Sequence, residues 1–384
     1  MVSIGFVYFC SVIKNNYELQ NDGTMKNILS KRTFIVLPLF LFSLHPLWGQ
    51  KSNFKNDICI PGKLYMLSDI RNDVFVEALI KRWRPYNDFV RFSGDCVYSR
   101  KLNRVASVDT PVDGSNMKIE LVNSDEFEII KEKAISICVG KKGIGTQEVT
   151  VQILGDSFVN GAFFRDALLS KNYIPGIKLV GLRNIKNEEG QYDEGRGGWT
   201  VKKYFEIPKG EMTSYHGYMQ PVGEYRYWGS CEFWKNCYKV INGELTDTEI
   251  VYNCGRYDQC ITKFDKETGY LAAPKKNDLM YDNARGSYMV YTGKKWKNVE
   301  VDERKWAFNY RKYLDMWNLD APKFFAQMLG LNDYRDSLTA DYREWNKKIA
   351  EMKESYYKAV PDGKFIILIP CTTCGSLNNI RGDF

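Results

Sequence analysis

Residues 149–161 read VTVQILGDSFVNG, and this stretch decides the fold of the larger part of the chain. Val149–Leu154 is a continuous β-rich run, which is typical of a strand buried on both faces of a parallel sheet. We expect a helix over Phe158–Leu169, and Gly155 permits the turn between the two elements. Ser157 then lies at the carboxyl end of the strand with its hydroxyl exposed. A serine that merely caps the helix is the structural alternative.

Strands and helices continue to alternate after this unit, which predicts an α/β domain with a parallel sheet and helices on both faces. We assign residues 147–384 to this domain. The further predicted strands are Ile177–Arg183, Lys323–Leu329 and Phe365–Ile369, and the further helices are Thr200–Phe205, Asp302–Trp317 and Thr339–Ala359.

The alternation is interrupted between about residues 210 and 301, where Tyr, Trp and Cys are frequent and turn signals recur. We interpret this interval as an inserted set of hairpins that walls one side of a ligand cleft. Its aromatic residues either line a sugar-binding surface or form a small core. We expect disulfides here with the pairing left open, and no metal site, because no histidine is nearby. The cysteines concerned are Cys231, Cys237, Cys254 and Cys260.

The N-terminal part of the chain has a different character. Residues 25–49 combine basic residues, a short apolar core and a small residue before Gln50, as in a secretory signal peptide. The apolar run is too short for a comfortable transmembrane helix, so we expect a secreted or periplasmic protein without a stable membrane span. Residues 1–24 would be an upstream segment. Residues 51–146 contain short apolar runs between polar turns, which predicts a small antiparallel, sandwich-like all-β module.

The composition of the 384 residues narrows the classes of function. Hydrophobic residues make up 44% and charged residues 26% of the chain, which suits a folded protein. The net charge is +7, but the basic residues are scattered among acidic ones without a basic run. The sequence therefore argues against a nucleic-acid partner, and no cofactor motif is present.

Two further motifs follow predicted strands. Glu194-Gly-Arg-Gly-Gly-Trp-Thr200 follows the second strand, and its glycine pair lets a backbone N–H approach a substrate closely. Gly330-Leu-Asn-Asp333 follows the third strand, where Asn332 can donate a side-chain N–H. Each motif alone is an ordinary loop or turn.

Taken together and in this order, the three motifs resemble the first three sequence blocks of the SGNH (GDSL-type) hydrolase family. The resemblance implies a three-layer αβα, flavodoxin-like domain that hydrolyses esters without a cofactor. It makes Ser157 the nucleophile, supported by its neighbours Gly155 and Asp156. It makes Gly198 and Asn332 the oxyanion-hole donors, with Gly197 as the alternative glycine and Asp333 beside Asn332.

The chain departs from the family in the residues that would supply the catalytic base. The family takes its catalytic Asp and His from an Asp-x-x-His block near the C-terminus, and no such block follows Asn332. Only two histidines occur, namely His45 in the signal peptide and His216. We therefore expect a catalytic domain that is incomplete at its C-terminus.

These observations favour an exported serine esterase acting on an acylated glycan or another small ester, impaired in this chain. The alternative is a non-catalytic glycan-binding protein on an esterase scaffold. The two hypotheses differ in whether Ser157 reacts with an acyl or phosphonyl group.

Overall fold

The computed structural model describes most of the chain between residues 57 and 368. The predicted upstream segment, the signal peptide 25–49 and the predicted incomplete C-terminal end lie outside the described residues. The described ranges are 57–58, 60, 62–68, 70–75, 79–81, 88–95, 97–100, 105–141, 148–170, 176–184, 191–257, 259–334 and 342–368.

The described residues of the N-terminal part form strands and the turns between them. A four-stranded sheet has the order β2-β9-β8-β5, a three-stranded sheet has the order β3-β7-β6, and β1 pairs with β4. Side chains from the two larger sheets share one core. The predicted antiparallel arrangement is wrong for one pair, because β2 runs parallel to β9. The strands are β1 (Asp57–Ile58), β2 (Lys63–Leu67), β3 (Asn72–Phe75), β4 (Ile80–Lys81), β5 (Asp88–Gly94), β6 (Val97–Arg100), β7 (Val105–Val108), β8 (Asn116–Asn123) and β9 (Ile129–Gly140).

A parallel five-stranded sheet forms the centre of the second part of the chain. Its order is β11-β10-β19-β20, and the short β12 pairs with the end of β10. All of these pairings are parallel, so the mixed α/β prediction is confirmed. The strands are β10 (Val149–Gly155), β11 (Ile177–Val180), β12 (Glu194–Gly195), β19 (Phe324–Met328) and β20 (Lys364–Ile367).

Both faces of this sheet are buried. Ile153 and Ala326 point to one face, where Val159 of the helix after β10 packs. Leu154 and Phe325, their neighbours along the strands, point to the opposite face and join a larger core. Alternate residues of one strand therefore enter two different cores, which explains the unbroken apolar run in the sequence.

The helices that follow the strands differ from the prediction in two places. The predicted helix over 158–169 is interrupted, because Ala162 takes a positive φ of 62° between two shorter helices. The predicted helix Asp302–Trp317 contains a 3-10 turn, a strand and only then a helix, which Asn309 caps at Lys312 N. The helices are α1 (Ser157–Asn160), α2 (Phe163–Ser170), α3 (Cys231–Ile241), α4 (Thr248–Cys254), α5 (Tyr310–Trp317), α6 (Leu331–Tyr334) and α7 (Tyr342–Ala359), with 3-10 helices at Lys202–Phe205, Ile261–Lys263 and Glu303–Lys305.

The insert is a mixed α/β unit rather than a set of hairpins. Its sheet has the order β14-β15-β16-β17, and its first pair is parallel because α3 and α4 connect β14 to β15. Antiparallel hairpins occur only between β15, β16 and β17, and β13 pairs with β18. The strands are β13 (Met219–Pro221), β14 (Arg226–Ser230), β15 (Asp278–Asp282), β16 (Ser287–Tyr291), β17 (Trp296–Val299) and β18 (Trp306–Phe308).

The predicted disulfides are also wrong, because Cys231, Cys237, Cys254 and Cys260 are all free thiols. They are buried in the aromatic core of the insert, and burial raises the pKa of the Cys231 thiol to about 12. The aromatic packing around these thiols stabilises the insert without cross-links between them.

Of the helices in the described ranges, none has both the length and the apolar composition that crossing a lipid bilayer requires.

Candidate active site

Ser157 occupies the first turn of α1, directly after β10, and its side chain is exposed. The turn requires glycine at 155, since a Cβ there would lie 2.5 Å from Val159 Cγ2 and 2.7 Å from the Met328 carbonyl oxygen. Asp156 is fully buried and caps the helix, accepting a hydrogen bond from Phe158 N at 3.1 Å. The helix cap is therefore Asp156, and the capping alternative for Ser157 is wrong.

The three sequence motifs meet at this end of the sheet. The Asn332 side-chain amide donates to the Trp199 carbonyl oxygen at 3.1 Å and to Asp156 Oδ2 at 3.4 Å. The Asp333 carboxylate accepts from Val201 N at 3.0 and 3.2 Å. One pair of adjacent residues after β19 thus ties the glycine loop to the turn before Ser157.

The two glycines of the pair, Gly197 and Gly198, differ in their surroundings. A Cβ on Gly197 would lie 1.4 Å from the Tyr252 hydroxyl oxygen, so the insert covers that residue. Gly198 has a φ of +71° and no heavy atom within 4 Å of its Cβ position. Gly198 is therefore the member of the pair that adjoins open space, and its conformation favours glycine.

Asn332 is only partly available as a donor. Its amide carries two protons, and both point to acceptors within the protein. The contact with Asp156 is the longer of the two, so donation to a substrate oxyanion requires the release of that bond.

The carboxyl groups of Asp156 and Asp333 interact electrostatically near the turn that precedes Ser157. Burial, and then the proximity of Asp333, raise the pKa of Asp156 to about 6. Burial also raises the pKa of Asp333. Low solvation disfavours the charged form of both groups.

A buried hydrogen-bond network, which the sequence did not reveal, contacts the Gly155 carbonyl oxygen in the turn before Ser157. Arg196 forms an ion pair with Glu194 at 2.9 Å, and both side chains are buried. The Tyr204 hydroxyl lies 2.8 Å from the Gly155 carbonyl oxygen and 2.7 Å from the Glu194 carbonyl oxygen, which share its proton. The sequence marked Glu194 and Arg196 only as parts of a glycine-rich loop, and nothing in it pointed to Tyr204.

His216 is a structural residue in this arrangement. It is 1% exposed, and its Nδ1 accepts from Tyr218 N at 3.2 Å. Nε2 therefore carries the proton and donates to the Glu206 carbonyl oxygen at 2.9 Å. Burial lowers the pKa of His216 to about 3, so the ring is neutral and has no free nitrogen for Ser157.

Three large aromatic residues of the insert belong to a core. Trp234 and Tyr257 are fully buried, Trp228 is 6% exposed, and the Trp234 ring stacks on Phe264 with centroids 3.9 Å apart. Other aromatic residues of the insert, including Tyr252, are half-buried.

Within the described ranges, no group of three or more His, Cys, Asp or Glu side chains is arranged to hold a metal ion. In comparisons with known proteins, no family model matches the chain and no curated protein is similar to it.

Proposed function

We propose that this protein is an exported serine ester hydrolase of the SGNH type that acts on acylated carbohydrate. We further propose that catalysis by this chain is impaired, because His216, the histidine that the structure describes, is bonded to other groups and is not placed to act as the base. The observation that supports this proposal most directly is the meeting of Ser157, Gly198 and Asn332 at the carboxyl ends of the parallel strands.

The strand order supports the finer fold. Numbered along the chain, the four longer parallel strands β10, β11, β19 and β20 have the order 2-1-3-4, which is that of a flavodoxin-like sheet. In such sheets ligands bind where the strand order reverses, between the first and third strands. Ser157 follows β10 and Asn332 follows β19, so the candidate residues flank that position.

The proposed chemistry is acyl transfer. Ser157 Oγ attacks the ester carbonyl carbon, the alcohol leaves with a proton, and water then hydrolyses the acyl-enzyme. The N–H groups of Ser157 and Gly198, with the Asn332 amide, stabilise the oxyanion. Because His216 is committed elsewhere, proton transfer from Ser157 lacks its usual acceptor. An oxyanion hole alone supports rates about 10³–10⁴ above those in water.

The test is covalent labelling of the purified full chain with a fluorophosphonate, followed by intact mass and peptide mapping. We expect slow formation of one adduct at Ser157, absent in Ser157→Ala and unchanged in the control Ser287→Ala. No adduct on folded protein, or an adduct at another serine, would count against the esterase. Turnover of 4-nitrophenyl acetate at rates ordinary for serine esterases would refute the impairment.

A non-catalytic glycan-binding protein remains the second candidate, and the commitment of both His216 nitrogens favours it. It predicts that glycan binding is the same in Ser157→Ala and that the fluorophosphonate leaves Ser157 unmodified.

A further inference from the structure

Two guanidinium groups lie beside the helix of the nucleophile without an ion pair to any described residue. Arg183 is 1% exposed, and among the described residues the acceptors of its Nη atoms are neutral oxygens. These acceptors include Ser214 Oγ at 2.8 Å, the Tyr252 carbonyl oxygen at 2.9 Å and Asn160 Oδ1 at 3.3 Å. The buried Asp193 carboxylate interacts electrostatically with Arg183, Arg256 and Arg165, so one carboxylate faces three guanidinium groups. Buried positive charge that is not fully balanced is costly.

Arg256 adds a second positive charge at the same point. Its Nη1 donates to the carbonyl oxygen and to Oδ1 of Asn160, the same Oδ1 that accepts from Arg183. Burial, and then the charge of Arg183, lower the pKa of Arg256 to about 10. Two like charges therefore meet at one amide oxygen, three residues after Ser157.

One edge of the Arg256 guanidinium is unused. Arg256 is half-buried, and its Nε and Nη2 make no hydrogen bond to a described residue. This edge presents two parallel N–H donors, the geometry that matches a carboxylate in a bidentate pair.

The position of Arg256 relates it to the proposed oxyanion hole. Its guanidinium carbon lies 5.4 Å from the ring centroid of Tyr252, and the Tyr252 hydroxyl covers Gly197. Tyr252 lies in α4, and Arg256 follows two residues after the last residue of that helix. Arg256 thus contacts the nucleophile helix at Asn160 and adjoins the Tyr252 side chain that covers Gly197.

We propose that Arg256 binds a carboxylate of the substrate, so that the ester attacked by Ser157 belongs to an acidic molecule such as an acylated uronic acid. The inference deepens the proposed function and rests on it for the identity of the reacting ester. A bound carboxylate offsets the excess of positive charge that Arg183, Arg256 and Arg165 present against Asp193, which gives an acidic ligand an advantage that a neutral one lacks.

The test measures binding by calorimetry to the full chain carrying Ser157→Ala, with acetylated trigalacturonic acid and acetylated xylotriose as probes. We expect the acidic probe to bind at least about tenfold more tightly. Arg256→Gln removes this preference and leaves the neutral probe within about twofold of the parent. The control Arg304→Gln, at a side chain 90% exposed, changes neither affinity. Equal affinities in the parent, or equal losses for both probes in Arg256→Gln, would overturn the proposal.

Two further variations sharpen this test. Sulfated xylotriose separates carboxylate recognition from attraction to any anion, and binding as tight as that of the uronate would overturn the carboxylate assignment. Arg256→Lys keeps the charge without the planar fork, and we expect it to weaken uronate binding at least about threefold. This variant carries the test if Arg256→Gln does not fold, as judged by circular dichroism.

Fluorophosphonate labelling of the chain with Ser157 intact separates the two proposals. An adduct at Ser157 without a preference for the acidic probe refutes the carboxylate site and leaves the esterase standing. A preference that depends on Arg256, without an adduct, refutes the esterase and leaves the anion site.

Discussion

Asp156 sits directly before the proposed nucleophile and combines a helix cap with complete burial. The protonated form of its carboxyl is favoured by the folded state, because water is excluded around it. An asparagine there keeps an oxygen for the cap and removes the titration, which makes the cost of the charge measurable.

We expect the wild-type protein to lose stability relative to Asp156→Asn as the pH rises from 4 to 7. The pKa of Asp156 is about 6 in the folded state and near 3.8 when unfolded, so the folded state binds more protons in this window. The difference in unfolding free energy between the wild-type protein and Asp156→Asn should change by about 2–3 kcal/mol between pH 4 and pH 7. Urea denaturation at both pH values measures it. The exposed Asp125→Asn serves as control, and a pH-independent difference for Asp156→Asn would contradict the prediction.

His216 gives a prediction of opposite sign. Its folded-state pKa is lowered to about 3, so its contribution to stability is present above pH 6.5 and is lost as the pH falls below that. His216→Asn keeps an acceptor for Tyr218 N but loses the donor to Glu206, and we expect a cost of about 1–3 kcal/mol at pH 7.5 that shrinks toward pH 4. Denaturant unfolding at both pH values measures it.

The same variant should label with fluorophosphonate at the wild-type rate. A large fall in the labelling rate on a folded protein would show instead that His216 acts as the base for Ser157.

At the scale of elements, α1 packs on β12 without room for a side chain. A Cβ on Gly195 would lie 2.2 Å from Asn160 N, a backbone atom that cannot move independently. This contact fixes the distance between the nucleophile helix and the glycine loop. The sequence motif alone is that of an ordinary loop, whereas its first part is a buried strand.

We expect Gly195→Ala to destabilise the protein by more than about 3 kcal/mol, or to prevent folding. Gly198→Ala meets no atom within 4 Å and bears only the strain of its positive φ, about 1 kcal/mol. Thermal and urea unfolding compare the two variants, with Gly62→Ala as an unstrained control. Similar costs for Gly195→Ala and Gly198→Ala would show that this packing is not tight.

Helix α5 holds the turn between β13 and β14 through one lysine. Lys312 Nζ donates to the carbonyl oxygens of Pro221 at 2.7 Å, Gly223 at 2.6 Å and Tyr225 at 2.9 Å. Lys312→Met keeps a side chain of similar length and removes all three hydrogen bonds. We therefore expect the unfolding free energy to fall by about 2–4 kcal/mol.

The neighbouring Arg311→Gln is a matched control for Lys312→Met. Arg311 forms a surface pair with Asp315 at 2.9 Å, and its loss should cost about 1 kcal/mol or less. Equal costs for both variants would mean that the three carbonyl contacts of Lys312 contribute little.

At the scale of the whole molecule, the β module has its own core, separate from the two cores of the parallel sheet. We expect residues 51–146, expressed alone, to unfold cooperatively. Ile137→Ala, at a fully buried position of β9, should cost the isolated module about 2–4 kcal/mol. Ile130→Ala, at a position of the same strand that is 41% exposed, should cost much less. Urea denaturation followed by circular dichroism measures these effects, and a non-cooperative transition would contradict the module's independence.

The sequence by itself determined the parallel sheet and the residues at its carboxyl edge. A strand that is buried on both faces is largely apolar, so a local run of apolar residues marks its position in the sequence. The residues at its carboxyl end are then those that directly follow the run. Ser157, Gly198 and Asn332 stand in motifs that follow predicted strands, and it was the resemblance of these motifs to a known family that selected the three residues before any contact between them was known.

Only the tertiary structure decided the character of the insert and the surroundings of the site. Tyr, Trp and Cys favour strands in isolation, but in the insert they fill a common core that also accommodates α3 and α4. Three arrangements join residues that are far apart in the chain: the adjacent guanidinium groups of Arg183 and Arg256 at Asn160, the hydrogen bonds of His216, and the cover of Tyr252 on Gly197. No local pattern encodes such contacts, because they arise when separate elements pack against one another.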